Sequence, residues 1–335
     1  TSALPYANAP LHLGHVLEIV QTDVWVRHKN LTEHEASYFC ASDTHGTPIM
    51  LKAKELKITA EELINDLHKK HQQTFKSFNV DLANFHSTHS EENKQLTAEI
   101  FQKAQDKKYI FKKNISQLYD EKEQIFLSDR FVKGTCPSCG AEDQYGDTCE
   151  KCGSTYDALE LINPKSVLSN TSPVIKESEH YFFKLNELQS YLKTNIQHIS
   201  KQTPIKAKLN EWLDEDLKDW DVSRDEPYFG FNIPGETTKY IYVWMDAPVG
   251  YLASIQNWSK KNKIDFEELL NQENVKLVHF IGKDIVYFHL LFWPAMLKTF
   301  DINNLEEVFV HGFLTIEGNK MSKSDDQKEV KAVKQ

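Results

Sequence analysis

The sequence has no uncharged apolar run approaching the ~18 residues that a membrane-spanning helix needs, so no transmembrane segment is expected. It begins at Thr1 with no basic stretch followed by an apolar one, so no signal peptide is expected, and it reads as a chain that opens inside a structural element. Cysteine is scarce, five in 335 residues, and four of them fall between Cys136 and Cys152. That clustering excludes a dispersed disulfide framework and points to a metal in a reducing, cytoplasmic setting. The fifth, Cys40, follows Tyr38 and Phe39 and reads as a small buried hydrophobe. Positive charge is not in surplus. The net charge of −10 argues against a bulk nucleic-acid-binding surface, so RNA would have to meet local basic patches. Repeats and low-complexity tracts are absent. A hydrophobic fraction of 40% and an aromatic fraction of 11% suffice for a core and a deep pocket. The length permits one large domain or two to three ordinary ones.

The local patterns predict an α/β fold. Val16 to His28 carries apolar residues at roughly helical spacing. Tyr38 to Ala41 is a short apolar run ending in polar Ser42 and Asp43, so a strand is predicted, while the strand before Tyr6 looks mostly cut away. Residues 51–108 read as helices. Thr59 followed by Glu62 has the capping-box pattern, and Ser90 opens another helix with acids in its first turn. From Tyr109 the texture changes to short β-like runs around the cysteines, broken by Pro164, Pro173 and Pro204. From Val222 the α/β texture returns. Tyr240 to Trp244 reads as a buried strand, Pro248 onward as a helix, and Val275 to Ile281 as a strand. Asp284 to Thr299 reads as a helix and Glu307 to Phe313 as a strand. The expected organisation is a catalytic domain in two halves, 1–106 and 223–324. An inserted connective domain at 107–222 carries the cysteines of 136–152, and 325–335 is a charged tail.

Two motifs carry phosphate chemistry. In His12-Leu-Gly-His15, two imidazoles three residues apart share one face of a helix start. Gly14 admits a flat ligand such as adenine, and the helix N-terminus offers N–H groups to phosphate. The plain alternative is a surface turn with two solvated histidines. In Lys320-Met-Ser-Lys-Ser324, after Gly318, two lysines on a small-residue loop can neutralise a leaving pyrophosphate. The alternative is a charged surface loop. Together the two motifs are hard to ascribe to chance.

The pair resembles the two ATP motifs of the class I aminoacyl-tRNA synthetases. Longer strings narrow the resemblance to the methionyl-tRNA synthetases. They are Ala3 to Asn8, Cys40 to Met50, Arg130 to Cys136, Tyr242 to Pro248 and Phe280 to His289. The resemblance covers residues 2–324 and implies a Rossmann-type doubly wound parallel sheet, split by a zinc-knuckle connective domain. It implies that methionine and ATP, with its Mg²⁺, form methionyl-adenylate and pyrophosphate, and that methionine then passes to the 3′ end of tRNA(Met) for translation. It places His12, His15, Lys320 and Lys323 in catalysis, and Gly14, Gly282 and Asp284 beside His12, His15 and Lys323 around ATP. Asp284 has a ribose hydroxyl as its implied partner and a helix N-cap as the plain alternative. Methionine would be lined by Leu4, Tyr6, Trp244, Ala247, Pro248, Tyr251, Ile285 and His289, with Asp43 holding its ammonium. Aromatic walls grip a polarizable thioether, although core packing is the ordinary use of such residues. A missing methylene is worth only about 1–3 kcal/mol, so homocysteine is the expected error. The family continues into an anticodon-binding domain that does not follow here, and the Arg-Gly common after the lysine motif is lacking. Binding of tRNA by this stretch is therefore expected to be weak or non-specific.

The metal reading stands apart from the resemblance. Cys136-x-x-Cys139 and Cys149-x-x-Cys152, each followed by a glycine, suit one tetrahedral, structural zinc. Two disulfides are the alternative, disfavoured by the inferred compartment. Two competing functions remain at this level. A sister synthetase is one: the cysteine enzyme is disfavoured because its zinc sits in the pocket, the branched-chain enzymes because their insertion is larger. A silent zinc-knuckle nucleic-acid-binding module is the other, weakened by the acidic charge and by both ATP motifs.

Overall fold

A computed structural model describes residues 1–32, 34–316, 319 and 320, with Thr315, Ile316, Asn319 and Lys320 described by backbone alone. The chain divides into two compact units. The first holds Thr1–Ile110, Phe183–Trp220 and the chain from Tyr242. The second holds Phe111–Phe182 and Asp221–Ile241.

The first unit is built on a parallel sheet. Helix α1 (Leu13–Leu31) leads to strand β1 (Phe39–Ser42), followed by α2 (Thr47–Leu56), α3 (Ala60–Ser77), strand β2 (Asn84–Ser87) and α4 (Glu91–Asp106). β1 and β2 pair in parallel, as do the strands Leu277–Gly282 and Leu305–His311. The extended segment Thr1–Ala7 joins the two pairs. The Ala3 N–H donates to the Phe280 carbonyl at 2.9 Å, and the Asp43 N–H donates to the Pro5 carbonyl at 3.0 Å. Ser2 therefore bridges Phe280, and Tyr6 bridges Asp43, both in parallel. Numbered along the chain, the order is 3-2-1-4-5, the reversal that defines a doubly wound Rossmann-type sheet. The strand that looked cut away from the sequence is thus present as the central member, because hydrogen bonds to both neighbours hold residues that have little apolar pattern of their own.

Helix starts follow the sequence signals. Thr59 caps α3 with a full capping box to Glu62, and Ser90 caps α4 by accepting from the Asn93 N–H. Such caps contribute about 1 kcal/mol each. α3 buries Leu63, Ile64, Leu67, His71 and Phe75, the i, i+4 stripe that packing requires. Helix Val249–Asn262 packs on β1, β2 and α4, and Ile19, Val26, Tyr38, Cys40 and Phe75 form a core cluster. Cys40 is fully buried, and burial pushes its thiol up to about 12.

Three local predictions change. β2 was not anticipated: its Asn-Phe-His-Ser carries too little apolar pattern, and its pairing with β1 decides its conformation. The predicted strand Tyr240 to Trp244 ends at Ile241; Tyr242 then starts a short helix, Val243–Asp246. The helix predicted for Asp284 to Thr299 is broken into a 3₁₀ turn Lys283–Ile285, a π-helical turn Phe288–Phe292 and the α-helix Trp293–Thr299.

The insertion was expected at 107–222. Residues 183–220 instead fall in the first unit, where helix Gln189–Ile199 packs on the strand Leu305–His311. In the second unit the strands Ile110–Asp120, Ile125–Phe126 and Val174–Phe183 pair, and the chain returns at Asp221 to bond there. The Val222 N–H donates to the Tyr181 carbonyl at 2.9 Å. Such a pairing spans too much sequence for a local pattern to reveal.

Candidate active site

All five members of the sheet run in parallel, so their carboxyl ends share one edge. Ala7, Ser42, Ser87, Gly282 and His311 mark that edge. The order reverses between the central segment and Leu277–Gly282. In open α/β sheets this switch point is where ligands bind.

His12 and His15 begin α1 at this edge. His12 Nδ1 accepts from the Gly14 N–H at 3.1 Å, and His15 Nδ1 accepts from the His12 N–H at 3.2 Å. The motif is thus a capping box made of two imidazoles, with ring centroids 3.8 Å apart. Because Nδ1 accepts in each ring, the ring proton sits on Nε2, a donor suited to a phosphate oxygen. Gly14 is needed for a reason the sequence did not disclose. A Cβ there would lie 2.9 Å from His12 Cε1, so any side chain would displace the ring.

Asp43 follows β1 and is buried. Its Oδ1 has no hydrogen-bond partner. Burial, and then the nearby charge of Asp246, raise its pKa well above the usual carboxylate range. A buried carboxylate with an unpartnered oxygen asks for a cation. Tyr6 bridges Asp43, and its hydroxyl donates to the His45 carbonyl at 3.0 Å. Tyr251 is buried, with the Leu4 backbone N–H and the Asp43 charge both acting on its hydroxyl. Its hydroxyl lies 2.8 Å from His289 Nε2, and His289 Nδ1 lies 3.1 Å from the Ile285 carbonyl. Burial lowers the His289 pKa to about 4, so the ring is neutral. His289 sits on the π-helical turn, a local unwinding common at functional sites. Trp244 stacks on Phe288 at 3.8 Å, while Ala247 and Pro248 are buried at the start of helix Val249–Asn262. Leu4, Tyr6, Asp43, Tyr251, Ile285 and His289 are thus linked by direct contacts or close charges. Trp244 is tied by stacking to the turn that carries His289, and the Pro248 carbonyl accepts from the Tyr251 N–H at 3.2 Å.

Gly282 ends its strand, and a Cβ there would meet Asp284 Oδ1 at 2.6 Å, so Asp284 folds back over it. Asp284 is exposed and belongs to a 3₁₀ turn whose cap, Gly282, has no side chain to offer. Glu18 of α1 and His311 close this side, with Nε2 and Oε2 3.0 Å apart. Burial raises the Glu18 pKa, whereas the Glu18 hydrogen bond raises that of His311. Sequence reasoning missed both, although Glu18 falls where α1 turns the same face as His15 toward the sheet edge. Lys320 ends a two-residue antiparallel ladder with Thr315 and Ile316. Its side chain, and Lys323 altogether, lie outside the described residues.

A family model described as tRNA synthetases class I (M) matches residues 1–333. The chain belongs to this family. Two solved structures share its fold. One is the crystal structure of Mycobacterium tuberculosis methionyl-tRNA synthetase bound by methionyl-adenylate, with a TM-score of 0.74 and 22% identity over 97% of this chain and 58% of that one. The other is Mycobacterium tuberculosis methionyl-tRNA synthetase in complex with methionyl-adenylate, with a TM-score of 0.73 and 23% identity over 96% of this chain and 58% of that one. This class I synthetase chain therefore spans less than two thirds of the length of those proteins.

The synthetase's second feature lies in its second unit. The four sulfurs of Cys136, Cys139, Cys149 and Cys152 all lie within 4.8 Å of one another, the one such metal-holding group among the described residues. Cys139 and Cys149 sulfurs are 3.6 Å apart, and those of Cys136 and Cys152 are 3.9 Å apart. Disulfide sulfurs would stand about 2.05 Å apart, so none is formed. Metal–sulfur bonds of about 2.3 Å in a tetrahedron give edges of about 3.8 Å, which these separations match. Each Cys-x-x-Cys turn closes through a glycine in the left-handed region, Gly140 at φ 73° and Gly153 at φ 76°. Gly140 N–H donates to the Cys136 carbonyl, and Gly153 N–H to that of Cys149. The four thiols can hold a metal ion.

No described helix is long and apolar enough to cross a membrane.

Proposed function

We propose that this chain activates L-methionine with ATP, forming methionyl-adenylate and pyrophosphate, and that the protein then transfers methionine to the 3′ end of tRNA(Met). The observation that carries the reading is the buried Asp43 carboxylate at the carboxyl edge of the sheet, with one unpartnered oxygen and its charge acting on Tyr251, together with the paired His12 and His15 helix start on the same edge. A substrate with an ammonium group and an apolar side chain answers that arrangement, and both solved structures that share the fold hold methionyl-adenylate.

In this reading Asp43 binds the ammonium, and Leu4, Tyr6, Trp244, Ala247, Pro248, Tyr251, Ile285 and His289 line the thioether side chain. The substrate carboxylate oxygen forms a bond to the α-phosphorus of ATP, and the bond from that phosphorus to the pyrophosphate oxygen breaks. No protein nucleophile is required, so the rate gain is positioning and charge stabilisation. The Nε2–H groups of His12 and His15 donate to phosphate oxygens, while Gly282 and Asp284 receive the ribose. Lys320 and Lys323 neutralise the leaving group. Mg²⁺ would arrive with ATP and add charge to the polyphosphate. Cys136, Cys139, Cys149 and Cys152 would hold one Zn²⁺ as a structural clip, since four protein ligands leave no open position. Four such thiols suit the reducing cytoplasm.

The deciding experiment is amino-acid-dependent ATP–pyrophosphate exchange on this chain. Methionine is expected to drive exchange. Exchange driven by leucine but not methionine, or RNA binding without any exchange at saturating ATP, would overturn the reading.

A further inference from the structure

A second buried carboxylate, whose charge acts on Asp43, is not used by the reaction scheme. Asp246, in the short helix Val243–Asp246, is 1% exposed, and its Oδ1 also lacks a hydrogen-bond partner. Its Oδ2 is hydrogen-bonded by Nδ1 of His45, a ring that is itself fully buried. His45 Nε2 lies 3.0 Å from Nδ1 of His89, with the rings edge to face. His89 is exposed at the end of β2. A chain of hydrogen bonds thus runs from solvent, through two imidazoles, to a carboxylate that repels Asp43. The surroundings are fixed: Asn93 donates from Nδ2 to the carbonyls of Thr88 and Asp246, at 3.0 and 3.2 Å.

Two like charges buried near one another cannot both ionise cheaply. We propose that His45 and His89 are positioning residues that neutralise Asp246, so that Asp43 is left ionised to hold the substrate ammonium. The inference rests on the reading of Asp43 given above. Asp246 needs a proton donor whatever the occupancy of the site. His45 supplies one at Nδ1, and the contact with His89 lets a proton reach or leave its Nε2. A hydrogen bond from its own backbone N–H also favours the ionised form of Asp246.

Asp43 feels Asp246, Tyr251 feels Asp43, and His89 feels His45, Glu61 and Lys94. Burial raises the Asp246 pKa and His45 pulls it back. Loss of His45 should therefore drive Asp43 toward its protonated form, and loss of the Asp246 charge should do the reverse.

The test is a double-variant cycle on this chain, read by methionine-dependent exchange from pH 5.5 to 8.5, with the unaltered chain showing first that methionine drives exchange at all. No exchange there would sink the parent reading. Given exchange, His45→Gln is expected to raise the methionine KM about ten-fold, one pKa unit's worth, and to move the acid limb of kcat/KM to higher pH. The ATP KM should hold. Asp246→Asn is expected to move that limb to lower pH. In the Asp246→Asn background the His45→Gln penalty should shrink to within about two-fold, the mark of two residues acting through one charge. An equal penalty in both backgrounds, limbs that move the same way, or a raised methionine KM in Asp246→Asn alone would overturn the proposal. Should His45→Gln fail to fold, the direction of the Asp246→Asn limb decides.

Discussion

The Tyr251 hydroxyl donates to Nε2 of His289 across 2.8 Å, because His289 Nδ1 faces the Ile285 carbonyl at 3.1 Å and must carry the ring proton. Both rings are buried, so the pair holds a fixed donor order in the wall of the site. Tyr251→Phe would strand a buried acceptor. The expected cost is about 1–3 kcal/mol of stability, with a raised methionine KM and little change in the ATP KM. Thermal unfolding and exchange kinetics check both.

Asp43→Asn should separate stability from function. The free protein loses a buried, unpartnered carboxylate and should melt higher. Methionine affinity should fall at least about 100-fold, ~2.7 kcal/mol, because the ammonium loses its counter-charge. A lower melting temperature with unchanged affinity would remove Asp43 from the site.

Metal analysis of purified protein should find one zinc per chain. Cys136→Ser should lose it, and the strands around Val132–Thr135 should become sensitive to protease. Unchanged metal content would show that another group holds it.

Acid should destabilise the first unit in a defined window. Burial lowers His68 and His289 to about 4 and His279 well below its ordinary value. Unfolded, all three titrate near 6.5. Between about 6.5 and 4 the unfolded chain binds more protons, so stability rises with pH there and falls on acidification, by up to about 4 kcal/mol per pH unit for three protons. His180 in the second unit has the opposite sign. Burial opposes its charge, but hydrogen bonds to Asp221 and Asp225 outweigh it and raise the pKa. Its contribution is full below about 6.5 and is lost as pH rises through the folded value. Melting curves from pH 4 to 8 check the first slope, and His68→Gln should remove one proton from it.

Lys323→Ala should lower the rate of adenylate formation far more than methionine affinity, since the lysine acts on leaving-group charge. Single-turnover exchange distinguishes this from a loss of ground-state binding.

The sequence alone determined the family, through strings such as Asp43-Thr-His-Gly and Trp244-Met-Asp-Ala-Pro248, and it marked the helix caps and the cysteine turns, because those depend on neighbours in the chain. It did not reveal β2, the central place of Thr1–Ala7, or the break of the helix after Asp284 into a π-helical turn. Each of those is decided by hydrogen bonds to residues far away in sequence. The same holds within the site. His45 and Asp246 stand inside the recognised strings, yet only the fold brings them together and lets the Asp246 charge act on Asp43. Residue type names the chemistry a side chain can do; burial and the charge beside it decide which form it takes, and both are properties of the folded chain.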